Sequence, residues 1–279
     1  MQFSYYEWKK IFRTNFASNR FIPGVIEAFA LSENFISDMK VHWNDATPKI
    51  NVIFDGETPR ARLDVCKIEI PVNTIFNITM ESMRYDKIII DSILKKFFEE
   101  NKLSHIKIFS YNKIIRTILS IFIAHELGHI YLQHKANSKR KNEIEADIYS
   151  GLFLSRVYQS ICADFKQSMS GVKDYAINAA SFIMIGFSFL MYRAKFIYNT
   201  QNNNYKPFED RLFIISVAFG IVFGSQNNDL ESFKNNLLHI QNKFFKISED
   251  EYNDRFTKIT EEIEPILDDL FKGKSREQL

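Results

Sequence analysis

The feature that most constrains this chain is a long apolar run with two histidines and a glutamate set close together inside it. Residues 113–134 read KIIRTILSIFIAHELGHIYLQH, with no proline to break them. The apolar spacing predicts one long, buried helix. Two histidines and a glutamate are costly to bury there without partners, and the whole chain holds six histidines. On a helix, His125 and His129 lie about 40° apart around the axis and one turn displaced. Both imidazoles can therefore reach a single ion. Glu126 stands next to the first of them and can reach a water on that ion without ligating it. Two histidine ligands with a neighbouring glutamate as general base is the arrangement of zinc peptidases. The expected cofactor is Zn2+, the expected ligands include His125 and His129, and the expected catalytic base is Glu126.

A catalytic zinc needs a third protein ligand and a position left for water. A metzincin would place glycine at 132 and histidine at 135, where this chain has Leu132 and Lys135. The alternative is a glutamate on a following helix. Residues 135–142 form a polar loop long enough to turn the chain back, and Glu143-Ile144-Glu145-Ala146-Asp147 follows. Glu143 and Asp147 share one helix face. Glu143 is the expected third ligand, and Asp147 is expected to accept the free N–H of a metal-bound histidine, fixing its tautomer. Glu145 points roughly 160° away from Asp147 on an ideal helix and is the weaker candidate. The plainer reading of this acidic cluster is a helix start favoured by the macrodipole.

The rest of the chain reads as α+β, mainly α. Around residue 75 the text changes character. Before it, residues 49–54 and 61–72 alternate apolar and polar positions, and Asp55-Gly56-Glu57-Thr58-Pro59 between them is turn chemistry. This predicts a small N-terminal antiparallel sheet, preceded by one or two helices. Residues 67–73 are expected to be its edge strand, because Pro71 suits an edge. After residue 75 the spacing is helical throughout, about seven helices in all. The expected organisation is a single domain, 1–279. Residues 1–75 hold the N-terminal helix and sheet, 76–200 the zinc-binding helical core, and 201–279 a C-terminal helical region. Residues 212–224 read as core, residues 249–270 as a solvated amphipathic helix, and residues 272–279 as a frayed end.

Bulk properties narrow the function classes. The 279 residues are 46% hydrophobic and 25% charged, which suits a folded globular chain. The 27 Phe and 12 Tyr serve most simply as bulky core filler. A net charge of +2 provides no global field for nucleic acid. Cys66 and Cys162 are too few for a disulfide framework, and the first residues lack an apolar signal region, so a cytoplasmic setting is expected. Residues 176–192 carry no charge but are shorter than a spanning helix requires, so they read as a core helix, with peripheral membrane association as the alternative.

HExxH followed by ExxAD on the next helix resembles the gluzincin metallopeptidases, which include the CAAX-prenyl, heat-shock membrane and ImmA/IrrE-type peptidases. The chain is most similar to the Lit-type phage-exclusion peptidases. That resemblance rests on the apolar run into HELGH, on Leu132-Gln133-His134, and on Glu143 to Asp147. It covers about 118–160 and extends faintly to 200–215. There Pro207 and Arg211 are similar to a His-Pro…Arg element, with Lys206 in place of its histidine. The resemblance implies a zincin-like helical core and an endopeptidase that cuts a protein during phage infection. An elongation factor Tu-like translation factor is the implied target class, and a phage-derived component the implied activator. Arg211 would polarise the scissile carbonyl or hold a substrate carboxylate, or else pair with Glu209 or Asp210. His134 is a further substrate-side candidate, although it lies five residues past His129 and off the ligand face, which favours the surface or an outer shell. Two other classes stand beside this one: a metal-stabilised regulatory protein without catalysis, and a membrane endopeptidase.

Overall fold

The apolar stripes found in the sequence become a set of helices wrapped around one central helix. The computed structural model describes residues 4–14, 19–40, 47–56, 58–89, 111–134, 140–168, 208–227 and 247–270. Residues 176–192, Lys206, Pro207 and the 272–279 tail lie outside them.

In chain order the elements are α1 (Tyr5–Thr14), α2 (Ile22–Lys40), β1 (Lys49–Ile53), β2 (Arg60–Arg62), β3 (Lys67–Pro71), α3 (Val72–Ile89), α4 (Tyr111–Tyr131), α5 (Arg140–Ser168), α6 (Phe208–Asn227) and α7 (Glu249–Leu270). The chain is thus mainly α with one small sheet. Helix α1 begins with a capping box, in which the Ser4 N–H donates to Glu7 Oε2 at 2.6 Å and the Glu7 N–H donates to Ser4 Oγ.

Helix α4 is the centre. Ile114, Ile115, Ile118, Leu119, Ile121, Ile123, Ala124 and Leu127 are all buried on it. A helix apolar all round must be covered on every side, and α2, α3, α5 and the sheet supply that cover. By length and composition α4 could cross a membrane, yet 83% of its most apolar stretch is buried inside the fold. Helix α6 is similarly immersed from Phe213 to Phe219, packed between α5 and α7. Helix α7 buries Tyr252, Ile259, Ile263 and Leu267 along one stripe and turns its acidic face outward, the amphipathic pattern expected for it.

Glycines set how closely the helices approach. A Cβ added at Gly128 of α4 would lie 3.0 Å from Ala146 Cα and from Tyr149 Cβ on α5. One added at Gly151 of α5 would strike the Ile215 carbonyl oxygen of α6. An ion cluster at the edge of the core fastens the other side: buried Arg116 of α4 donates to the more exposed Glu27 of α2 at 3.0 Å and Asp164 of α5 at 3.1 Å.

The sheet departs from the expected antiparallel one. Its order is β1-β3-β2. Strands β2 and β3 form the antiparallel hairpin, closed by a tight turn over Leu63–Val65 and by Cys66 at φ 50. Strand β1 pairs with β3 in parallel, from Lys49 opposite Lys67 to Ile53 opposite Pro71. Strand β3 is therefore central, not the edge, and residues 72–73 already belong to α3. Pro71 is tolerated because it is the last residue of β3, where a missing N–H costs the ladder least. Among the described residues the edge strands are β1 and β2, and β2 packs against α4.

Candidate metal centre

The HELGH segment occupies the last turns of α4, and Glu143 lies in the first turn of α5. The helices meet where Gly128 has no side chain, so the Glu143 carboxylate reaches the histidine pair. His125 Nε2 lies 3.2 Å from His129 Nε2 and 3.3 Å from Glu143 Oε2, and His129 Nε2 lies 3.7 Å from Glu143 Oε1. Zinc ligands held about 2.0–2.1 Å from one ion at tetrahedral angles stand about 3.3 Å from each other. His125, His129 and Glu143 together can hold a metal ion. Glu143 Oε2 is buried and faces His125 Nε2 at 3.3 Å, a long contact that leaves it poorly satisfied and suits an oxygen that a cation would bind. Glu126, also buried, follows His125 directly on the helix.

No family model, curated protein or solved structure matches the chain. What can be said of the site therefore rests on its own geometry.

Each histidine is held from behind by a different device. His125 Nδ1 lies 2.9 Å from Asp147 Oδ1, the carboxylate contact expected from the sequence. Asp147 is 1% exposed and is gripped by Arg211 of α6, whose Nε and Nη2 donate to its two oxygens at 2.8 and 2.9 Å. Its contact with Asp147 is neither the substrate contact nor the pairing with Glu209 or Asp210 that the sequence suggests for Arg211. It closes a His125–Asp147–Arg211 chain that joins α4, α5 and α6. His129 Nδ1 lies 2.8 Å from His134 Nδ1, and His134 Nε2 lies 2.8 Å from Glu145 Oε2. His134 is buried and not a surface group; it stands in the outer shell, between His129 and Glu145. Glu145, the weaker candidate by helix geometry, belongs to the site through His134. No sequence signal marked this pairing, because it depends on how the chain leaves α4.

The charges of the site follow from these contacts. Burial alone would lower the pKa of His125, but its bonds to Asp147 and Glu143 outweigh that and hold it up at about 9. Burial would raise Glu143, yet the hydrogen bonds from both ligand histidines pull it well below the usual carboxylate range. Asp147 is likewise penalised by burial and held low by the Arg211 charge. Burial, and then the neighbouring His129, push His134 down. In the absence of metal the centre is thus an imidazolium between two carboxylates. It is a cation site in which a proton can stand where a metal would.

Proposed function

We propose that this chain is a zinc-dependent endopeptidase of gluzincin type. The observation that carries the reading is the convergence of His125 Nε2 and His129 Nε2, 3.2 Å apart, with the Glu143 carboxylate 3.3–3.7 Å from them, beside the buried carboxylate of Glu126. A two-histidine, one-glutamate donor set with an adjacent glutamate is that of zinc peptidases. When bound, zinc supplies Lewis acidity and lowers the pKa of water toward neutrality. Glu126 accepts the proton of the attacking water and delivers it to the leaving amine. Asp147 and Arg211 keep the His125 ring turned so that its Nε2 faces the centre. Strand β2, an edge strand among the described residues and packed beside α4, is the place where an extended peptide could add as a further strand.

The likeness of HELGH and EIEAD to the phage-exclusion peptidases supports a cytoplasmic role in anti-phage defence. A translation factor is then the target class, and a phage-derived component the activator.

The test is Glu126→Gln. It should bind zinc as the wild type does and cleave nothing. Mapping new protein N-termini in cells producing wild type or Glu126→Gln would identify the target. Undiminished cleavage by the variant would overturn the mechanism.

A further inference from the structure

Resting on that metal-centre reading, we infer that His134 and Glu145 are positioning residues for His129. Glu145 fixes the tautomer of His134, and His134 in turn fixes the tautomer and ring orientation of His129.

The local backbone brings them together. Helix α4 ends in a Schellman motif: the Gln133 N–H donates to the Ile130 carbonyl at 3.1 Å, and the His134 N–H donates to the His129 carbonyl at 3.0 Å. The motif requires a left-handed residue, and Gln133 takes it at φ 52. This turn folds the chain back over its own last helical turn. It sets the His134 ring against His129, with ring centroids 5.0 Å apart, and within reach of α5.

The polarity of the resulting chain follows from donor and acceptor rules. Two ring nitrogens 2.8 Å apart share one proton. An ionised Glu145 can only accept, so His134 Nε2 carries a proton and donates it at 2.8 Å. A neutral His134 then offers Nδ1 as an acceptor, and the proton between the rings belongs to His129 Nδ1. His129 is left with its Nε2 lone pair free, and that is the atom facing His125 Nε2 and Glu143 Oε1. The carboxylate thus dictates, through one imidazole, which nitrogen of the next can bind a cation. Asp147 does the same for His125 directly. The two ligand histidines share an outcome and differ in the means: α5 sets a carboxylate directly behind His125 Nδ1, but behind His129 Nδ1 only through His134.

The experiment is competitive titration of Co2+ and Zn2+ into metal-free full-length protein against a chromophoric chelator, with the visible Co2+ spectrum recorded. The proteins are wild type, His134→Ala, His134→Asn, Glu145→Ala and the double variant His134→Ala/Glu145→Ala. His134→Ala should lose about 10–100-fold in affinity, the usual effect of removing such an outer partner. Asn can still accept from His129 Nδ1, so His134→Asn should recover most of the loss and the Co2+ spectrum. Glu145→Ala, at a partly exposed position, should lose less. The double variant should be no worse than His134→Ala alone, since Glu145 acts only through His134. Wild-type affinity in both single alanine variants would overturn the inference, and so would additive losses in the double variant. A wild-type protein that binds neither ion would instead overturn the metal centre itself.

Discussion

Arg211 holds both carboxylate oxygens of Asp147, at 2.8 and 2.9 Å, while Asp147 Oδ1 also lies 2.9 Å from His125 Nδ1. One buried carboxylate therefore serves a cation on each side. Neither partner is sufficient alone. Without Arg211 the charge of Asp147 would be buried against a single imidazole, and without Asp147 the guanidinium would press its charge on His125, 3.5 Å away.

Removing the arginine should be costly for that reason. Arg211→Ala is expected to lower stability by about 3–5 kcal/mol, the range for breaking a buried ion pair from one side. Arg211→Lys keeps the charge but cannot bridge two oxygens in the same plane, so it should restore only part of the loss. Denaturant unfolding of the metal-free proteins measures both. An alanine variant as stable as wild type would mean that Asp147 does not depend on Arg211.

The site also sets a pH window for the metal-free protein. His125 is raised from 6.5 to about 9, so its contribution is fully present below about pH 6.5 and is lost as pH rises through 9. Glu143 and Asp147 are depressed, so theirs is present above the ordinary carboxylate range and lost as the solution becomes strongly acidic. Stability should therefore be greatest near pH 5–6.5 and fall toward pH 9, by at most about 3 kcal/mol from His125. Zinc must displace the His125 proton, so its apparent affinity should climb over the same upper range. Unfolding curves and zinc titrations at pH 6, 7.5 and 9 check this. A metal-free protein that becomes more stable toward pH 9 contradicts it.

The parts of this site that were legible in sequence are those set by helix geometry. His125, His129, Glu143 and Asp147 are each placed by a four-residue spacing on a straight helix, and such spacing survives folding. His134 and Glu145 were not legible in their roles, because they meet through a left-handed residue just past a helix end, and Gln133 carries no glycine to announce it. Arg211 comes from α6, and nothing local told its partner on α5 from its own neighbours Glu209 and Asp210. The sheet failed similarly. Alternation located the strands but not their neighbours, so β3 was expected at the edge when its alternate residues Ile68 and Ile70 are fully buried between two partners.

The unannounced cap makes its own prediction. A left-handed conformation costs an ordinary residue about 1–2 kcal/mol, which glycine avoids, though glycine gives back about 0.5–1 kcal/mol through its freer unfolded chain. Gln133→Gly should therefore raise stability slightly, by up to about 1 kcal/mol, and leave zinc affinity unchanged. Gln133→Val, β-branched at φ 52, should destabilise the cap, displace His134 and weaken zinc binding. Thermal melts and chelator competition on the pair distinguish the two effects. Equal stability of the Gly and Val variants would show that the left-handed cap is not maintained in solution.

The close approach of α4 and α5 can be tested at Gly128. In an exposed helix, glycine to alanine is stabilising by about 1 kcal/mol. Here the added Cβ would sit 3.0 Å from Ala146 Cα and Tyr149 Cβ, on a backbone and a buried side chain that cannot swing aside. Overpacking of this kind costs about 1–3 kcal/mol, so the sign should reverse and Gly128→Ala should destabilise the protein. The relief available is a small separation of the two helices. Glu143 lies one turn before Ala146 on α5, so that separation draws its carboxylate away from the histidine pair. Zinc affinity should fall together with stability, although every ligand is still present. Chelator competition and denaturant unfolding on the same preparation measure both. A Gly128→Ala protein that is more stable and binds zinc as tightly as wild type would mean that the helices do not need this contact to bring Glu143 to the metal.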